Sequence, residues 1–136
     1  MSDIVKKKYP ASSITGKVIG TAMEVHKHLG PGFLESVYEE ALAVEFRCQG
    51  IPFERQKGLP VYYRGSVIKK FVCDYLVAEQ VVVELKAIKA LSEIDRVQLT
   101  SYLKASGMTV GLLLNFGGKS LEFKRMVYSN GPNNNQ

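Results

Sequence analysis

Residues 74–86 read DYLVAEQVVVELK, and this stretch decides how the chain folds. Two runs rich in β-branched residues flank the polar residues 78–80, a pattern typical of two antiparallel strands joined by a three-residue loop. With that loop, Asp74 lies opposite Glu84 on the neighbouring strand. Because side chains alternate between the two faces of a strand, Asp74, Glu84 and Lys86 share one face. The pattern therefore predicts a hairpin with two carboxylates and one ammonium group on the same side.

The polar face of this hairpin, which carries Asp74, Glu84 and Lys86, has two interpretations. Opposed carboxylates repel each other and are costly to bury, but a divalent cation between them would reverse that cost. The alternative is a solvated face on which Lys86 pairs with the carboxylates, and the spacing alone favours this alternative. The other face is almost entirely apolar and is predicted to be core: Phe71, Cys73, Tyr75, Val77, Val81, Val83 and Leu85.

Length, composition and charge indicate one globular domain with a polyanionic partner. The 136 residues are enough for a substantial core, and the net charge of +5 favours binding to an anion. Cys48 and Cys73 are expected to be reduced core thiols, because no secretory signal precedes them. No apolar run approaches the length of a membrane span. We expect a cytoplasmic protein with a flexible arm at 1–11, a domain at 12–128 and a disordered tail at 129–136.

Two helices are predicted before the hairpin. The first begins near Ser12 or Ser13 and ends at the Gly-Pro-Gly of residues 30–32, and the second runs from about Phe33 to Gln49. Their expected buried stripes are Ile14, Val18, Ala22, Val25 and Leu29 on the first helix, and Leu34, Val37, Ala41, Val44 and Cys48 on the second.

Three polar side chains of these helices have two interpretations each. His26 is a candidate ligand or base, although a partly buried, hydrogen-bonded histidine is the favoured interpretation. Glu35 and Tyr38 project to one side of the second helix. They are either site residues or an acidic first turn and an amphipathic tyrosine.

The remaining segments predict a mixed sheet. Short strands at 51–56 and 59–63 and a longer strand at 67–77 form a meander with the hairpin, and the run at 108–116 suits a buried parallel strand. A crossover helix begins with Ser92-x-x-Asp95, ends at Gly107 and is expected to present one face made of Ile94, Val97, Gln98, Ser101, Tyr102 and Ala105. A basic cluster either tracks phosphates or protects strand edges: Arg55, Lys57, Arg64, Lys69 and Lys70.

Three motifs together resemble those of the PD-(D/E)XK nuclease superfamily. Asp74 followed by Glu84-x-Lys86 resembles its metal-binding signature, with Cys73 where a proline is usual. Residues 32–38 match Gly-x-x-Glu-x-x-Tyr and are similar to the GxxExxY protein family within that superfamily. Residues 98–102 match the Gln-x-x-x-Tyr motif of RecB-type nucleases. The resemblance spans about Ile14 to Val127.

This resemblance implies an α/β fold with a restriction-endonuclease-like core, in which helices flank a mixed sheet. It also implies a metal-dependent nuclease that hydrolyses phosphodiester bonds, with DNA as the expected substrate. Asp74, Glu84 and Glu35 would bind Mg²⁺ or Mn²⁺, with Glu39 as the rival of Glu35. Lys86 would orient the attacking water and stabilise charge in the transition state.

The resemblance leaves several questions open. Gln98, Tyr102, Tyr38 and His26 would support the site or contact the substrate. The alternative function is a nucleic-acid-binding or partner-binding module that cleaves nothing, and a surface ion-pair cluster without a site is a third reading. The choices between DNA and RNA, one and two metals, and monomer and homodimer are not decided by the sequence.

Overall fold

The computed structural model describes residues 11–129. The expected arm and tail fall almost wholly outside these residues. Within these residues, three helices and five strands follow one another: α1 (Ser12–Leu29), α2 (Glu35–Cys48), β1 (Phe53–Tyr63), β2 (Ser66–Val77), β3 (Val81–Lys86), α3 (Glu93–Ser106), β4 (Val110–Asn115) and β5 (Glu122–Val127). No helix within the described residues is long and apolar enough to span a membrane.

The five strands form one mixed sheet in the order β1-β2-β3-β4-β5. All neighbouring pairs are antiparallel except β3 and β4, which run parallel. A parallel pair needs a crossover connection, and α3 supplies it between these two strands. The predicted α/β fold with a mixed sheet flanked by helices is therefore confirmed.

The sheet has a core on each face. Helices α1 and α2 cover the first face, and α3 covers the second. All six residues of β4 are buried, since this strand contacts both cores. The first core includes Val18, Ala22, Tyr38, Leu42, Phe46, Tyr75, Val83, Leu112 and Phe116. The second core includes Leu59, Cys73, Leu76, Val82, Leu99, Leu103, Leu113 and Met126.

The predicted buried stripe of α2 is wrong. Helix α2 instead buries the stripe of Tyr38, Leu42 and Phe46, and Leu34 is 77% exposed. Aromatic rings bury more area than Val or Ala, so the face with Tyr38 and Phe46 turns inward. Cys48 is consequently exposed, although its thiol is free as predicted.

Helix α3 does not bury the apolar residues of the face that carries Gln98 and Tyr102. Ile94 is 78% exposed, and the buried residues are Leu99 and Leu103. Both leucines pack over Gly111 of β4, where an added Cβ would lie 3.0 Å from a methyl carbon of Leu103. The missing side chain at Gly111 brings the helix close to the sheet and selects the face that is buried.

The β1–β2 hairpin is longer than predicted and extends past the residues of β2 that pair with β3. Residues 53–63 form one strand, where two short strands were expected. Strand β2 pairs with β1 along most of its length but with β3 only at residues 75–77. We call residues 57–73 the hairpin arm.

Candidate active site

Strands β2 and β3 separate where the two carboxylates lie. The ladder ends at the pair Tyr75 and Val83, and Asp74 and Glu84 come next in the predicted register. There, the backbone N–H of Asp74 donates to Oε1 of Glu84 at 3.0 Å, and the N–H of Leu85 donates to Oδ2 of Asp74 at 2.8 Å. Each carboxylate takes a hydrogen bond from the opposite strand. The splayed strands therefore hold the two groups against each other.

A second irregularity lies on the other side of Asp74. The β1–β2 register omits Gln56 and Asp74, and Gln56 adopts a φ of 51°, which non-glycine residues rarely do. Its Nε2 donates to Oδ1 of Asp74 at 3.4 Å and to Oε1 of Glu39 at 2.9 Å. Beyond this kink, Phe71 and Cys73 contribute to the core under α3. The predicted alternation, which placed both with Tyr75, is wrong because the kink reverses the faces.

Burial and mutual repulsion raise the proton affinity of the acidic groups. Burial, followed by the charge of Asp74, raises the pKa of Glu84 to about 8. Burial also raises the pKa of Asp74, and burial and then the charge of Asp74 raise the pKa of Glu35. The positive charge of Lys86 lowers all three pKa values but does not outweigh the other effects. Added positive charge would therefore stabilise the ionised form of these three acidic groups.

The donor set suits a hard divalent cation. The bond from Asp74 uses Oε1 of Glu84, which leaves Oε2 for a ligand. Within residues 11–129, no three Asp, Glu, His or Cys side chains lie close enough together to hold one metal ion, so Glu35 does not complete a three-ligand set. Mg²⁺ commonly binds through one or two carboxylates and fills its other positions with water and substrate phosphate. Asp74 and Glu84 meet that requirement.

Lys86 approaches the carboxylates from the end of β3 and pairs with Asp95, a residue whose sequence position predicts only a helix cap. Its Nζ lies 3.9 Å from Oδ1 of Asp95. Oδ2 of Asp95 accepts from the N–H of Ser92 at 2.8 Å and from its hydroxyl at 3.1 Å, which completes a capping box. The start of α3 thus orients the ammonium group. The Ser-x-x-Asp spacing was the available signal, but it does not reveal what the second oxygen contacts.

A cleft of about 220 Å³ lies between this group and α3. Gln98 and Tyr102 both line it, so the structure brings the predicted Gln-x-x-x-Tyr pair to Glu84 and Lys86. The ring of Tyr102 stacks on Phe71 with centroids 4.0 Å apart and planes within 10°. Sequence reasoning missed Phe71 as a site residue because the kink that turns it toward α3 has no sequence signature. The lining residues are Phe71, Glu84, Lys86, Asp95, Gln98, Leu99, Tyr102 and Leu113.

The two rival glutamates of α2 have different surroundings. Glu39 is bound by Arg55 at 2.6 Å, and the same guanidinium binds Glu40 at 2.7 Å. These carboxylates raise the pKa of Arg55 above its usual range, so its charge is permanent. The charges of Asp74 and Lys86 both act on Glu35, and the charge of Glu39 also acts on Asp74. Because Arg55 already compensates the charge of Glu39, Glu35 is the better candidate for the helix residue of the site.

The structure does not bring the polar atoms of His26 and Tyr38 to the carboxylates. Nε2 of His26 lies 2.9 Å from the carbonyl oxygen of Gly118, and the Tyr38 hydroxyl donates to the carbonyl oxygen of Gly30 at 2.6 Å. Both rings stack on Phe116. Both residues therefore hold the loops around the first core in place, which is a structural role.

Comparison with known proteins was made by sequence and by structure. A profile of the PD-(D/E)XK nuclease superfamily matches residues 12–126. No curated protein sequence matches the chain. A similar solved structure is an alkaline exonuclease, LHK-Exo, from Laribacter hongkongensis, with 11% identity and a TM-score of 0.46 over 88% of this chain and 72% of that one.

Proposed function

Because the chain belongs to the PD-(D/E)XK nuclease superfamily, we propose that it is a metal-dependent nuclease that hydrolyses phosphodiester bonds in DNA. The observation that carries the proposal is the pair of carboxylates of Asp74 and Glu84, which meet where two strands separate, with Lys86 beside them. Members of this superfamily generally use divalent metals. The Gly-x-x-Glu-x-x-Tyr motif of residues 32–38 supports placement in the GxxExxY group.

In this proposal, Asp74 and Glu84 hold Mg²⁺ or Mn²⁺, and Glu35 assists from the start of α2. The bound ion would polarise the phosphate and lower the pKa of a water molecule. Lys86 would hold the attacking water and stabilise the negative charge that develops on the phosphate oxygens. Asp95 keeps its ammonium group in place. Leu85 and Gln56 donate to Asp74 and keep that carboxylate oriented.

The helix side of the cleft would bind the substrate. Gln98 and Tyr102 line it next to Glu84 and are suited to contact the sugar-phosphate backbone. The net charge of +5 supports a polyanionic substrate. Free thiols at Cys48 and Cys73 fit a reducing compartment, so the proposal includes a cytoplasmic location.

One observation favours a second candidate function. Burial and the neighbouring charge of Asp74 raise the pKa of Glu84 to about 8, so the metal-free fold favours the protonated carboxyl group. A cluster that stays protonated and metal-free would suit a nucleic-acid-binding module that cleaves nothing.

A cleavage assay with matched variants separates the two functions. Wild type is incubated with linear duplex DNA, single-stranded DNA and RNA in Mg²⁺ or Mn²⁺, beside Glu84→Gln and the control Glu79→Gln. Glu79 lies exposed in the loop of the same hairpin, so its substitution should leave cleavage unchanged. Glu84→Gln should abolish both cleavage and Mn²⁺ binding measured by calorimetry. Binding without cleavage by wild type in every condition would support the non-catalytic module instead.

A further inference from the structure

A second cleft of about 330 Å³ lies between the tip of the hairpin arm and the end of α3. It is lined by Tyr62, Gly65, Ser106 and Gly107. An added Cβ at Gly65 would meet no atom within 4 Å, so this side of the cleft is open. Tyr62 is 45% exposed, which leaves much of its ring available for contact. The cleft therefore offers an aromatic surface with room beside it.

This second cleft and the carboxylate cleft lie along the same face of α3. Gln98 and Tyr102 line the carboxylate cleft, and Ser106 lines the second one. Residues four apart share a helix face, and one such step advances about 6 Å along the axis. Both clefts are also bounded by the hairpin arm, through Phe71 near the carboxylates and through Tyr62 near the tip.

The charge of the arm identifies the class of ligand. Residues 57–73 contain four cations and no carboxylate: Lys57, Arg64, Lys69 and Lys70. Within the described part of the chain, Lys57 pairs with Glu54, whereas no carboxylate pairs with the other three. An arm that carries unpaired positive charge and exposed tyrosine suits a strand of phosphates and bases.

We propose that the second cleft is a nucleobase-binding subsite, in which Tyr62 stacks on a base of a single-stranded segment that runs from the carboxylate cleft toward the tip of the arm. The inference rests on the proposed function, because the strand is taken to start at the carboxylate cleft. A duplex keeps its bases paired and stacked inside, so only an unpaired base can lie flat on the tyrosine ring. The subsite thus makes single strands or frayed ends the preferred substrate class.

The test is binding of a fluorescent dodecathymidine strand, and of the same strand annealed to its complement, in EDTA so that cleavage plays no part. Tyr62→Ala should raise the Kd for the single strand roughly 5- to 150-fold, the range for loss of one base–aromatic stack. Tyr62→Phe keeps the ring and should retain affinity. Ser106→Leu should also weaken binding, because it narrows the cleft from the helix side without altering Tyr62.

The neighbouring tyrosine is the matched control. Tyr63 is 61% exposed and, as the next residue on the strand, points to the opposite face of the arm. Tyr63→Ala should therefore leave the Kd for the single strand within about twofold. Equal losses from Tyr62→Ala and Tyr63→Ala, or none from either, would overturn the inference.

The outcomes distinguish this inference from the nuclease proposal. Cleavage in Mn²⁺ with no effect of Tyr62→Ala on binding would overturn the subsite and leave the nuclease intact. Tyr62-dependent binding of single strands without any cleavage would support the subsite and reject the nuclease. If Tyr62→Ala changes the sedimentation coefficient but not the affinity, the cleft belongs to an interface with a second copy of this chain, and the inference is wrong.

Discussion

Two groups of acidic side chains lie close together around β1, β2 and α2, and they differ in how their charge is compensated. Glu39 and Glu40 share one guanidinium, that of Arg55, at 2.6 and 2.7 Å. Asp74 and Glu84 face each other with Lys86 nearby, but the ion pair of that lysine is with Asp95.

The negative charge of the first group is compensated in the folded protein, whereas that of the second group is not. Arg55 supplies a permanent cation to its two glutamates, and Gln56 connects the groups through hydrogen bonds to Glu39 and Asp74. In the second group, burial raises the pKa of Glu84 to about 8. Acidic residues alone therefore do not indicate a site. A shortage of nearby positive charge is the more informative feature.

The largest expected effect comes from Lys86, whose ammonium group lies beside Asp74 and Glu84. Lys86→Met keeps most of the bulk and removes the charge, so cleavage should fall by roughly 10²–10³, as when one preorganised electrostatic contact is lost. Mn²⁺ affinity should persist or rise, because a nearby positive charge is gone. Cleavage time courses and metal titrations on the same samples measure both quantities.

Lys89→Met is the control for this substitution. Lys89 is exposed and lies three residues further along the chain, so cleavage should be unchanged. Unchanged cleavage in Lys86→Met as well would remove Lys86 from the mechanism.

The pH dependence of stability should separate the two acidic groups. Glu84 in the folded metal-free protein has a pKa of about 8, above its ordinary value of 4.5. The folded state thus holds a proton that the unfolded state releases, and the free energy of unfolding should fall as pH rises from about 4.5 to 8. Glu84→Gln should flatten this slope, and Mn²⁺ at pH 8 should restore the stability of wild type.

Glu39→Gln provides the comparison from the compensated group. Because Arg55 already binds Glu39, this substitution should retain the slope between pH 4.5 and 8. Urea titrations in EDTA at several pH values measure the slope for all three proteins. An equally steep slope in Glu84→Gln would show that another group binds the proton.

Much of this arrangement was predictable from sequence, for physical reasons that differ between elements. The hairpin register follows from the three-residue loop and the two β-branched runs, and it set Asp74 against Glu84. Gln98 and Tyr102 reach the cleft because helical spacing puts residues four apart on one face. Local periodicity was sufficient in these cases.

Other features depend on contacts between distant residues, which periodicity does not encode. The kink at Gln56 turns Phe71 toward α3, and Gly111 selects which face of α3 is buried. For Tyr38, such contacts contradict what the local motif indicates. Its motif position suggested a site residue, but stacking on Phe116 and a bond to Gly30 give it a place in the core.

The smallest expected effect tests whether the backbone itself produces the kink between the two acidic groups. Gln56 has a φ of 51°, where a Cβ is unfavourable by about 1–2 kcal/mol. Gln56→Gly and Gln56→Ala both remove the amide that bonds Glu39 and Asp74, but only glycine also relieves this conformation. The glycine variant should therefore be more stable than the alanine variant by about 1 kcal/mol in thermal or urea unfolding. Cleavage by the two variants should be equal, because neither changes a proposed ligand. If alanine is as stable as glycine, the strands do not need the left-handed residue, and side-chain bonds to the two acidic groups must impose the kink.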